Sequence, residues 1–103
     1  MRLLLEHPTD TVVTLFRRAG YVFQREEKGE SSFVRPLARA GYPRFHCYLK
    51  TRGDGFECNI HLDLKRETYG RVTRHHGEYA DEGTLAEEIQ RIESVIGTLT
   101  RIV

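Results

Sequence analysis

The stretch FECNIHLDLK, residues 56–65, alternates apolar and polar side chains without a break. Phe56, Cys58, Ile60, Leu62 and Leu64 fall on one side of an extended chain, and Glu57, Asn59, His61, Asp63 and Lys65 on the other. His61 and Asp63 are therefore neighbours on the wet face, about 6.5–7 Å apart along the strand. An imidazole and a carboxylate at that spacing suit two ligands of one divalent metal, with zinc, manganese or iron as the candidates. They equally suit two members of a metal-free acid–base or ligand-binding site. The plain alternative is a hydrated face, with Asp63 paired to Lys65 or to an arginine.

The preceding stretch RFHCYLKT, residues 44–51, alternates in the same way, with His46, Tyr48 and Lys50 polar against Phe45, Cys47 and Leu49. The link between the two runs contains Gly53, Asp54 and Gly55, which favours a tight hairpin. Opposed residues share a face, so paired residue numbers must sum to an odd value, 107 or 109 for a two-residue loop. With 107, His46 opposes His61; with 109, His46 opposes Asp63 and Tyr48 opposes His61. Either register gathers His46, Tyr48, His61 and Asp63, because cross-strand neighbours lie ~5 Å apart. The candidate site adds His75, His76 and Glu78 from the long connection that follows, with Arg44, Lys50 and Lys65 as candidate anion contacts at its margin. Carboxylates beside imidazoles are expected to raise the histidine pKa values in the absence of metal.

The flanking elements must hold this hairpin. Residues 9–19 read as a helix with Val12, Phe16 and Ala19 on one stripe. Pro8 and Thr9 suit its start, and Gly20 and Tyr21 suit a Schellman ending. Residues 21–26 and 31–37 read as two strands, in a register that sets Phe23 opposite either Val34 or Phe33. Residues 84–99 read as a second helix, with Leu85, Ile89, Ile92, Ile96 and Leu99 on one stripe and Thr84 and Glu87 as a capping box. The expected fold is a two-layer α+β sandwich in the order α-β-β-β-β-α. Its four-stranded antiparallel sheet, with a fifth strand possible at Leu3–Leu5 or residues 75–79, has both helices on one face.

The 103 residues suffice for one domain, residues 1–103, and show neither repeat nor linker. No apolar run reaches the length of a membrane span, and the start lacks the pattern of a secretory signal. The expectation is a cytoplasmic protein. Cys47 and Cys58 form no C-x-x-C pair and are read as small hydrophobes. Residues 1–55 carry a net charge of +4 and residues 56–103 a net charge of −3. That asymmetry falls short of the basic patch usual in nucleic-acid binders. RNA remains the alternative partner for the open sheet face, a second copy of the chain is another candidate partner, and a purely structural domain is the third class.

RFHCYLK, HLDLK and HHGEY together resemble a family of short uncharacterised prokaryotic proteins, a likeness over the C-terminal 60 residues or so that groups the site residues but implies no activity. LFRRAGYVFQREEKGESSFV is similar to the opening of HicA-type toxins, small RNA-cleaving proteins with a double-stranded-RNA-binding-like fold. Their catalytic histidine follows a Gly-Ser pair; here the matching stretch is Gly29-Glu30-Ser31, so only the fold analogy carries over.

Overall fold

The Thr11 hydroxyl accepts a hydrogen bond from the Thr14 backbone N–H at 3.2 Å and so caps the first helix, α1 (Val12–Arg18), two residues later than Thr9 would have. Its other end follows the sequence signal. Gly20 takes φ +94°, its N–H donates to the Arg17 carbonyl at 2.9 Å, and the Tyr21 N–H donates to the Phe16 carbonyl at 2.8 Å. These are the two hydrogen bonds of a Schellman motif. Its hydrophobic contact is the edge-on packing of Tyr21 on Phe16, with ring centroids 5.5 Å apart.

The computed structural model describes residues 1–64, 82–97 and the backbone of 99–102. The strands are β1 (Arg2–Glu6), β2 (Val22–Glu27), β3 (Glu30–Pro36), β4 (Arg44–Arg52), β5 (Gly55–Asp63) and β6 (Leu99–Ile102). They form one sheet in the order β2-β3-β4-β5-β1-β6, with every pairing antiparallel. The second helix, α2, spans Glu82–Ile96. The α+β class, the antiparallel sheet and the layer made by the two described helices agree with the sequence reading.

Three details differ. Among the described residues the sheet has six strands, since Leu3–Leu5 does join it as part of β1 and a further strand follows α2. Thr84 lies inside α2, which begins at Glu82, and so is not the cap residue. Leu99 leaves the helical stripe for β6 because Gly97, at φ +66°, ends the helix. No described helix is long and apolar enough to cross a membrane.

Both hairpins close on two-residue loops. Lys28 and Gly29, both at positive φ, connect β2 to β3 and set Phe23 opposite Phe33, with a bulge between Phe23 and Arg25. Gly53 and Asp54 connect β4 to β5 with the sum-of-107 register throughout, from Arg44 opposite Asp63 to Arg52 opposite Gly55. That register sends Phe45, Cys47, Leu49, Cys58 and Ile60 into one core with Leu3, Leu5, Phe33 and the stripes of both helices. Both cysteines are buried free thiols.

Gly55 sits where β5 passes the end of β1, and a Cβ there would lie 2.0 Å from the Leu5 carbonyl oxygen. Backbone cannot yield as a side-chain tip can. Gly55→Ala should therefore destabilise the protein by about 1–3 kcal/mol, read from urea unfolding. Unchanged stability would show that β1 does not press on this turn.

Candidate functional site

The core packing leaves the opposite face of the sheet free of helix among the described residues. On that face the hairpin register places His46 directly opposite His61 and Arg44 directly opposite Asp63. His46 Nδ1 lies 3.3 Å from Asp63 Oδ2, and His61 Nε2 lies 3.4 Å from Asp63 Oδ1. The Arg44 Nε–H donates to Asp63 Oδ2 at 3.1 Å. One ligand atom from each of His46, His61 and Asp63 lies within 4.8 Å of the other two.

Tyr48 closes one side of the group. Its ring centroid is 4.4 Å from that of His46 and 5.7 Å from that of His61, and the two imidazoles are 5.2 Å apart. This packing changes the picture of a wet face. His46 is only 7% exposed, while the His61 side chain keeps 47% of its surface open. The reason is position. β4 is an interior strand between β3 and β5, and His46 sits between Val34 and His61 across the ladder.

Burial against neighbouring rings lowers the His61 pKa from its ordinary value, outweighing the opposing pull of Asp63. The expected rise is thus reversed at His61. Asp63 shows the contrary balance. Burial alone would raise its pKa, but hydrogen bonds from His46 and Arg44 overcome that and hold it below the ordinary carboxylate value. Burial, with Asp63 nearby, raises the pKa of Tyr48. Near neutral pH the group presents an uncharged His61 ring, an ionised Asp63 and an un-ionised Tyr48.

A residue absent from the sequence reading completes the group. Ser32 Oγ on β3 lies 2.9 Å from His46 Nε2 and donates to Gln24 Oε1 at 3.0 Å. Its place opposite Tyr48 across the β3–β4 ladder explains how it reaches His46. Only the β3–β4 register, which alternation did not fix, could have revealed it.

The hydroxyl has one proton to donate. With that proton on Gln24, Ser32 must accept from His46, so Nε2 carries the ring hydrogen. The other ring nitrogen, Nδ1, stands 3.3 Å from Asp63 Oδ2, where an N–H donates to the carboxylate and a bare lone pair leaves room for a metal ion; the tautomer decides between them.

The remaining candidates divide. Arg44 belongs to the group, but as the partner of Asp63, with its guanidinium also 4.6 Å from the centre of the Tyr42 ring. Lys50 lies opposite Glu57, away from the histidines. Glu57 itself is 7% exposed and ion-paired to Arg52 at 2.9 Å and Arg2 at 3.4 Å; the Arg52 hydrogen bond leads in lowering its pKa. Lys65, His75, His76 and Glu78 lie outside the described residues. Comparison with family models, with curated proteins and with solved structures gives no match for this chain.

Proposed function

We propose that the domain binds a divalent metal ion, zinc by the chemistry of its donors, through His46 Nδ1, His61 Nε2 and Asp63. The observation that carries this reading is the pair of close approaches to Asp63, 3.3 Å from His46 and 3.4 Å from His61. Two nitrogen or oxygen ligands about 2.0–2.1 Å from a tetrahedral zinc stand ~3.4 Å apart, which the two approaches to Asp63 match, while the three donors together, within 4.8 Å of one another, close in slightly on the ion. Three protein ligands leave a fourth position for water or a substrate atom, the usual plan of a catalytic rather than a structural zinc.

Two further features support it. When His46 donates Nε2–H to Ser32, 2.9 Å away, Nδ1 is left with its lone pair for a metal ion, and Ser32 is hydrogen-bonded in turn to Gln24. The lowered pKa of His61 keeps its ring neutral near pH 7, so zinc need not displace a proton there. Among the described residues, the cations that would serve an RNA interface lie beside acidic partners. Arg44 is held by Asp63, Arg2 and Arg52 by Glu57, and Lys50 faces Glu57. That balance favours the metal over RNA as occupant of this face.

The test is calorimetric titration of metal-free protein with zinc at pH 7, with thermal unfolding alongside. One zinc per chain is expected, with binding that weakens as pH falls and the histidines protonate. At a hundred times the dissociation constant, free zinc should add about 2.7 kcal/mol of stability. No heat of binding and no change in Tm at millimolar zinc would leave the polar group as a hydrated, ion-paired surface.

A further inference from the structure

The chain Ser32–His46–Asp63 has a second reading that the metal does not use. Ser32 Oγ stands 2.9 Å from one nitrogen of the His46 ring, and Asp63 Oδ2 stands 3.3 Å from the other. A hydroxyl, an imidazole and a carboxylate in that order form the nucleophile, base and orienting acid of acyl-transfer sites. The direction of the chain depends on Gln24. Rotating its terminal amide exchanges oxygen for nitrogen without moving the heavy-atom frame. The amide then donates to Ser32, Ser32 donates to His46 Nε2, and His46 Nδ1–H donates to Asp63. This is the arrangement open to the protein when a proton rather than a metal lies between His46 and Asp63.

Access agrees with the geometry. Ser32 is 4% exposed, yet it lines a concavity of about 230 Å³ together with Arg25, Glu27, Lys28, Glu30 and Tyr48. The volume suits a short acyl group and not a long chain. The wall carries Arg25 and Lys28 against Glu27 and Glu30, with Arg25 paired to Glu27 at 3.5 Å, so its charges balance and an uncharged ester meets no net repulsion. The Arg44 Nε–H donates to Asp63 Oδ2, the same oxygen that faces His46, and so holds the carboxylate in place beside the ring.

We propose that in the metal-free protein Ser32 is an acyl-accepting nucleophile, activated by His46 and oriented through Asp63, with esters of short carboxylic acids as its substrate class. Ser32 Oγ forms a bond to the ester carbonyl carbon while its proton passes to His46 Nε2. The tetrahedral adduct collapses, the carbon–alkoxide bond breaks, and the leaving alcohol takes the proton from Nε2. Water then attacks the acyl-serine, gives a proton to Nε2, and the returning proton releases Ser32 and the carboxylic acid. The reaction shares His46 and Asp63 with the metal site but needs no metal.

The test treats intact, metal-free protein with an alkyl fluorophosphonate and, separately, with p-nitrophenyl acetate. The expected result is a single phosphonyl adduct by intact mass, mapped by peptide sequencing to Ser32. A burst of about one nitrophenolate per chain should accompany it, as an accumulating acyl-enzyme requires. Ser32→Ala should abolish both, and Asp63→Asn should slow labelling at least ~10-fold through the lost orientation of His46. No adduct on the unsubstituted protein, while a serine hydrolase in the same tube is labelled to completion, would overturn the proposal. An adduct on any other residue would do the same. Zinc uptake by the same preparation is read by calorimetry, so failure of the nucleophile and failure of the metal site are separate results.

Discussion

Glu88→Ala should destabilise the protein by roughly 3 kcal/mol, since the charge-assisted hydrogen bonds of a buried carboxylate are lost and the buried Tyr21 hydroxyl is stranded, while Arg35 and Arg91, with side chains 25% and 36% exposed, can turn to water. Glu88 is 3% exposed although it is ionisable, because it borders the buried stripe of α2 formed by Leu85, Ile89, Ile92 and Ile96. Its carboxylate takes two hydrogen bonds from Arg35, at 3.0 and 3.1 Å, two from Arg91, both at 2.9 Å, and one from the Tyr21 hydroxyl at 2.6 Å. Arg91 also donates to the Ala19 carbonyl at the end of α1, at 2.6 Å. One carboxylate thus ties together the end of α1, the residue leading into β2, β3 and α2. Without it two guanidinium groups and a buried phenol lose their acceptor. For a domain of this size the loss corresponds to a fall in Tm of roughly 15 °C or more. Glu88→Gln should recover part of the stability through its remaining acceptor oxygen. A fall of less than 1 kcal/mol in both variants would show the network to be dispensable.

The same residue makes stability depend on acid. Burial alone would raise the Glu88 pKa, but hydrogen bonds from Arg91, Arg35 and Tyr21 prevail and bring it from 4.5 down to about 2. A carboxylate with a lowered folded-state pKa contributes its full stabilisation above the unfolded value. It loses that contribution as pH falls through the folded value. The window here runs from about pH 4.5 down to about pH 2, and the contribution lost across it is roughly 3 kcal/mol. Urea midpoints measured across that window should slope less steeply in Glu88→Gln than in the unsubstituted protein. Burial and the nearby Cys47 thiol, together with Glu88, raise the Tyr21 pKa, so this phenol remains a donor throughout.

What the sequence made legible follows from the range of each signal. Alternation over 45–64 and turn chemistry at Gly53 act locally, and they placed His46 opposite His61 as one of two registers. The choice between 107 and 109 depended on where the loop closes, which alternation does not encode. The Schellman ending at Gly20 was legible because its hydrogen bonds join residues within five positions of one another. Ser32 was not, because its partners His46 and Gln24 lie on two neighbouring strands, and a lone serine in a strand carries no periodic signal. Nothing in the sequence sets Glu88 apart from Glu87 beside it. The burial of Glu88 became visible only when α2 settled over Tyr21 and Arg35, 67 and 53 residues away in the chain. Burial of His46 has the same origin: the strand pattern correctly sent it to the face opposite the core, but the flanking β3 side chains and Tyr48 cover it.

Asp63→Asn should lower zinc affinity by about 100-fold or more while the fold persists, and the reason lies in what one oxygen pair does. Asp63 is the member of the group that approaches both imidazoles, so it supplies the negative charge that compensates the ion and also sets the ligand spacing. An amide of equal size keeps the shape but removes that charge. It also presents an N–H to one imidazole or to Arg44, either of which is a poorer match than the carboxylate. The cost to folding should be modest. Asp63 and Arg44 are both near the surface, with side chains 25% and 22% exposed, so stranded Arg44 can turn to water. His61→Ala should give an equal or larger loss of zinc with still less effect on stability, because the ring faces solvent on one side and packs on no core residue. Ser32→Ala offers the graded control. It removes the hydroxyl that orients His46 without removing a ligand, so the expected loss is about 10–100-fold, smaller than for either ligand. Zinc calorimetry on the three variants, with Tm measured on each, gives the ordering. Equal zinc affinity in Asp63→Asn and the unsubstituted protein would place any bound metal elsewhere on the chain, and this group would then be an ion-paired network centred on Arg44.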